Sequence, residues 1–264
     1  MDWFLALPTP LQGFLAGFMA WIPASLGAAM VFPFKNVDTK IMNGLLGLAG
    51  GIMMAASFFS LLNPALGYAE DLGMNPLLPL MFGFSLGVVF LLFADKVFPI
   101  NQTNSKLGQR LKRHFGKSTL LIFAITLHNI PEGLAIGVAV GAAVNGDTLV
   151  AALALAFGIG IQNFPEGAAT SLPLRRDGLS AKRAFAYGQL SSFVETIAAV
   201  VGATLTVFVA SLLPVMLSFA AGAMIYVVFA EIIPEANSNG NKKLIAGLSM
   251  LGFGLMMFLD VWLG

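Results

Sequence analysis

The chain has 264 residues, of which 58% are hydrophobic and 10% charged, with a net charge of +1 and a mean hydropathy of +0.86. A soluble domain carries about 25% charged residues, so the composition excludes that class and points to a protein of the bilayer. The near-zero charge gives no support to nucleic-acid binding, and the lack of cysteine excludes disulfides and thiolate metal ligands.

Crossing the hydrocarbon core takes about 20 apolar residues in a helix, and eight segments meet that length. The first, 5–32, follows a start with no positive region or small-residue cleavage site, so it reads as mature sequence rather than a signal peptide. The second, 41–66, contains GGIMMAASFFS, with Met53 and Ser60 on one face at seven-residue spacing. The third covers 76–98. The fourth, 118–144, carries LHNIPEGLAIG (127–137), and the fifth, 148–174, carries the near-copy IQNFPEGAAT (161–170). The sixth, 184–210, holds Ser191 and Ser192 one turn before Glu195. The seventh, 213–236, has Glu231 and Glu235 around Pro234, and the eighth is 243–263. The runs are too long and unpatterned for barrel strands, and lipid leaves backbone groups unsatisfied in any open strand. The expectation is an all-α integral membrane protein with eight transmembrane helices and one transmembrane domain over 1–264.

All 14 Lys and Arg fall in alternate loops or at their edges: Lys35 and Lys40; Lys96, Lys106, Arg110, Lys112, Arg113 and Lys117; Arg175, Arg176, Lys182 and Arg183; Lys242 and Lys243. The intervening loops, GYAEDLGMNP and VNGD, carry only acids. By the positive-inside rule this predicts both termini on the extracytoplasmic face of a plasma or inner membrane.

Five ionisable residues lie well inside the spans: His128, Glu132, Glu166, Glu195 and Glu231. Each costs on the order of 3 kcal/mol at mid-bilayer, so such residues mark function. His128 and Glu132 are four apart and share a helix face; Gln162 and Glu166 repeat the relation on the next helix. The two spans form an antiparallel hairpin with both motifs at similar depth, and Asn129 and Asn163 stand beside the pairs. Pro131 and Pro165 free the carbonyls of Leu127 and Ile161. Gly133, Gly137 and Gly141 make a small-residue strip for close helix packing. One imidazole with carboxylates and carboxamides suits a borderline divalent cation such as Zn²⁺, Fe²⁺ or Mn²⁺. Two carboxylates would neutralise its charge, and Mg²⁺ would have less use for the histidine.

HNIPEG in the fourth span and QNFPEG in the fifth, within eight spans, strongly resemble the ZIP (Zrt/Irt-like) divalent-metal transporters, in the GufA-like bacterial branch. The resemblance covers essentially the whole chain. It implies a 3+2+3 arrangement with inverted repeats around the hairpin and uptake of zinc, or iron, manganese or cadmium, into the cytoplasm as transported substrate rather than prosthetic group. It implies a primary site of His128, Glu132, Gln162 and Glu166 joined by Met53. A second site would use Asn129, Asn163 and Glu195, with Glu132 and Glu166 able to bridge. Ser60 and Glu231 would lie on the metal's route toward the cytoplasm. Alternating access, with an elevator-like motion of spans 1, 4, 5 and 6, is the implied mechanism, and a homodimer stays open.

Departures from the family pattern are specific. The histidine-containing HExxHE motif of many members is missing from the fifth span, Asn163 replaces a common carboxylate, and Ala230 stands where a histidine often precedes the glutamate of the seventh. A cation channel built on the same ligands is the nearer alternative. An intramembrane metalloenzyme is disfavoured, since one intramembrane histidine and no HExxH motif leave no water-activating set.

Overall fold

The computed structural model describes residues 2–34, 38–97, 126–176, 178–208, 210–238 and 240–263, and all regular structure among them is helical. The helices are α1 (Thr9–Ala28), α2 (Thr39–Asp71), α3 (Leu77–Val97), α4 (126–141), α5 (Gly146–Arg176), α6 (Ala181–Phe208), α7 (Leu213–Ala236) and α8 (Lys242–Leu263). Seven of these are long and apolar enough to cross a membrane, making this a multi-pass membrane protein. The helix α4 stands where sequence expects a further span; residues 118–125 of that span, and the loop with His114, lie outside the described residues.

Local chemistry sets the boundaries. Pro8, extended at φ −55° and ψ 133°, starts α1 at Thr9 rather than at residue 5, and Gln12 donates to the carbonyls of Leu5 and Leu7 to hold the preceding turn. Between α4 and α5 the carboxamide oxygen of Asn145 accepts from the Thr148 N–H at 2.9 Å. The Thr148 hydroxyl accepts in turn from the Asn145 N–H at 3.1 Å, a reciprocal cap that fixes the tight hairpin. The only departures from α geometry inside the α2 and α7 spans are π turns, Ser57–Leu62 and Val228–Ile232. Each is closely followed by a proline, Pro64 or Pro234, whose ring lacks the donor for a regular helical bond.

Helix α1 packs on α5 and α6, α2 on α8, and α3 on α7, with α2 also against α5. The α2 helix packs on α8 and α7 on α3, and α2 and α7 are the two helices that carry π turns, a correspondence that inverted repeats would produce. Glycines pull both pairs together. A Cβ at Gly51 would come within 1.9 Å of the Ser249 carbonyl oxygen and one at Gly252 within 2.1 Å of that of Leu48. The corresponding distances at Gly87 and Gly222 are 2.1 Å to Phe219 and 2.3 Å to Phe84. In lipid, where tails are as apolar as leucine, such backbone contact supplies the packing that hydrophobicity does not. The result is layered: 61% of the most apolar window is buried for α2, α5 and α7, against 22% for α3 and α8, which face outward.

Candidate metal centre

The site is assembled by the glycine of each PEG motif. A Cβ at Gly133 would stand 2.1 Å from the carbonyl oxygen of Glu195, so α4 lies with its backbone against α6 beside that residue. A Cβ at Gly167 would stand 2.1 Å from the Ala24 carbonyl oxygen, which seats α5 on α1 in the same way. Gly137 and Gly141 continue the strip against Ala199 and Ala203 of α6, as the four-residue spacing predicts. The residue preceding Gly133 and Gly167 is in each case a glutamate, Glu132 or Glu166, so each acid is carried on a turn held backbone-to-backbone against a neighbouring helix.

Within this frame Glu132, Gln162, Asn163, Glu195 and Asn129 are all buried, with Glu195 and Gln162 fully inaccessible. The Gln162 amide donates to Oε1 of Glu132 at 3.1 Å. The Asn163 amide donates to Oε2 of Glu195 at 2.6 Å and to the Ala20 carbonyl at 3.3 Å, linking α5 to α6 and α1. Asn129 donates to the Ser191 carbonyl at 3.0 Å. Glu132 feels the charges of both Glu166 and Glu195, and Glu166 those of His128 and Glu231, so the acids share one electrostatic locus.

Because the carboxamide N–H groups face acceptors, their oxygens face away. Gln162 Oε1 and Asn163 Oδ1 are buried without a hydrogen-bond partner, as are one carboxylate oxygen each of Glu132, Glu166 and Glu195. An unpaired buried polar atom costs about 1–3 kcal/mol, and these five oxygens are a set that a bound cation would satisfy, as would protons on the acids or ordered water. The donor chemistry therefore fits a divalent metal, with two neutral and three acidic oxygen ligands.

His128 is turned elsewhere. Its Nε2 lies 2.8 Å from Oε1 of Glu231 on α7, and both side chains are mostly shielded, at 12% and 20% exposure. The pair spans from α4 across to the helix carrying the second π turn, a contact between residues 103 positions apart that no local pattern reveals. Among the described residues no three His, Asp or Glu side chains converge as a ready-made metal cage. Glu132 and Glu195 are tied to carboxamides of α5 and the imidazole to Glu231.

The remaining expected residues are more distant. Met53 is fully buried in the main apolar core, where its carbonyl accepts from Ser57 at 2.8 Å. Ser60 sits in the π turn of α2 and donates to Asp260 near the end of α8. As α2 and α8 run from their lysine-bearing starts toward the acidic-loop side, Ser60 lies in the acidic half of the bundle, whereas Glu231 lies in the basic half. Asp260 as the partner of Ser60 was missed from sequence, since the two residues stand 200 positions apart and no local pattern pairs them.

A polytopic helical bundle with a buried cluster of acids, amides and one imidazole is a membrane protein with the donor chemistry of an intramembrane ion site. Comparison with known proteins agrees. Residues 100–260 match the family model described as ZIP Zinc transporter. The chain is 38% identical to Zinc transporter ZIP11 of Homo sapiens, covering 96% of this chain and 97% of that protein. It is 37% identical to Zinc transporter ZIPB of Bordetella bronchiseptica (96% and 80% covered) and 35% identical to Zinc transporter GufA of Myxococcus xanthus (96% and 99%). The chain belongs to the ZIP family of transporters.

Proposed function

We propose that this protein carries a divalent transition metal, zinc before iron, manganese or cadmium, from the acidic-loop face of the membrane into the cytoplasm by alternating access. The single observation that carries the reading is the set of five unpaired buried oxygens on Glu132, Gln162, Asn163, Glu166 and Glu195, with His128 one turn before Glu132 on α4. The names of the relatives suggest zinc as the first cargo, the loop charges favour the basic face as the cytoplasmic one, and uptake is the direction that the family resemblance implies.

In this mechanism a metal arriving at the cluster is held by Glu132 and Glu166, whose charges balance its own, with Gln162 as a neutral oxygen ligand and Met53 of α2 joining only if α2 shifts toward the cluster. Asn163, Asn129 and Glu195 form an adjoining position for a second ion. The metal competes with Glu231 for the imidazole of His128, since a ligating nitrogen cannot also donate to a carboxylate. Taking His128 frees Glu231 in the basic half, where its carboxylate is available to receive the departing ion. The pair thereby links metal binding on the α1, α4, α5, α6 group to the α2, α3, α7, α8 group, the two bodies whose relative motion would alternate access.

Proteoliposomes of wild type, His128→Ala and Glu166→Ala, assayed for uptake across a metal panel, test this directly. Both substitutions are expected to reduce zinc uptake by at least about tenfold. Zinc transport at the wild-type rate by both variants would overturn the assignment.

A further inference from the structure

Away from the central cluster, a groove of about 710 Å³ opens between α2, α7 and α8. Met54, Phe229, Ile233 and Met250 form its walls, and Lys242 and Asn237 stand at the basic end. Phe229 and Met250 are 65% and 68% exposed, so the groove is open along its length to whatever surrounds the bundle. From Lys242 to Phe253 its α8 wall spans about 17 Å of helix, close to one leaflet of a hydrocarbon core about 30 Å thick.

The two polar groups at its mouth are complementary to one kind of headgroup. Lys242 is exposed and offers a cation. Asn237 spends its amide N–H on the Ile233 carbonyl at 2.9 Å, leaving Oδ1 shielded and without a partner, an acceptor waiting for a donor. Asn43 donates to Ser238 at 3.1 Å, which fastens the start of α2, with Lys40 in its first turn, to the same loop. A phosphate satisfies the lysine, a headgroup hydroxyl satisfies Asn237, and an acyl chain fills the apolar wall. Basic pockets between membrane helices recognise anionic headgroups in this way.

We propose that the α2–α7–α8 groove is a binding site for a single anionic glycerophospholipid, its phosphate on Lys242, its headgroup hydroxyl on Asn237 and one acyl chain along α8. Because Val228 and Phe229 of the lining belong to the π turn that carries Glu231, the lipid chain packs directly on the segment that holds His128.

Native mass spectrometry of delipidated protein titrated with dioleoyl phosphatidylglycerol or dioleoyl phosphatidylcholine tests the site without reference to transport. Wild type is expected to retain phosphatidylglycerol about fivefold more tightly. Lys242→Glu, a surface change that leaves the core untouched, should abolish that preference while leaving phosphatidylcholine adducts as they were. Ala246→Phe, which projects a ring from the lining, should weaken adducts of both lipids. Equal retention of the two lipids by wild type, or an unchanged preference in Lys242→Glu, would overturn the proposal.

Discussion

HNIPEG on α4 and QNFPEG on α5 differ at two of six positions, and the structure separates what the shared letters do from what the differing ones do. The shared Pro-Glu-Gly places a carboxylate one residue before a backbone-to-backbone contact, Gly133 on α6 and Gly167 on α1. The shared asparagines both donate to neighbouring helices, Asn129 to Ser191 and Asn163 to Glu195 and Ala20. The differing first letter separates the two helices. Gln162 stays inside the cluster and donates to Glu132, while His128 reaches out of it to Glu231. One helix is therefore wired inward and the other is the cluster's connection to α7.

The comparison breaks most severely at its common feature. Gly133→Ala and Gly167→Ala each drive a methyl into a carbonyl oxygen, and each is expected to destabilise the protein by about 1–3 kcal/mol or more, read as a lower thermal midpoint in detergent. Gly247→Ala, where nothing lies within 4 Å, should stay within about 0.5 kcal/mol of wild type. Equal midpoints for all three would remove the packing role assigned to the motif glycines.

A second perturbation targets the inward wiring. Asn163→Asp replaces a donor to Glu195 with a carboxylate, so metal-free protein loses a hydrogen bond and gains like-charge repulsion, a cost of about 1–3 kcal/mol. A second divalent ion relieves both, so the variant should gain more thermal stability from zinc than wild type does and bind more metal per chain. Calorimetry returning the same stoichiometry for the two proteins would contradict this.

The smallest expected effect concerns the outward connection. Glu231→Ala removes the competitor for His128, and zinc affinity at equilibrium should rise about fivefold, the worth of a partly shielded pair of about 1 kcal/mol, while uptake slows because the receiving carboxylate is gone. Weaker zinc binding in this variant would make Glu231 a ligand of the resting site instead of a competitor.

Much of this was readable from the chain because it is local. Apolar run length set the bounds of α5, α7 and α8 to within two or three residues, and four-residue spacing found the Gly133–Gly141 strip. The duplicated motif named the cluster without any contact information. What escaped depends on contacts between distant segments. The imidazole of His128 was expected to face Glu132 on its own helix, and nothing in the sequence weighs that against a partner on α7. The donor roles of Gln162 and Asn163 escaped because a carboxamide is both donor and acceptor, and only Glu132, Glu195 and Ala20 decide which end faces where. The π turns had a visible cause in Pro64 and Pro234, yet a proline in an apolar run is equally compatible with a kink at Pro131 or Pro165, where the helices stay in α geometry.

Zinc K-edge X-ray absorption on zinc-loaded protein addresses the central claim most directly, since the chain has only two histidines, His114 and His128, and a single substitution tests the second. The expected spectrum has oxygen and nitrogen scatterers at about 2.0–2.2 Å with the multiple-scattering pattern of a single imidazole, and that pattern disappears in His128→Ala while the oxygen shell persists. A wild-type shell without imidazole, or one left unchanged by His128→Ala, would contradict a centre built from His128 and the acids and amides of α4, α5 and α6.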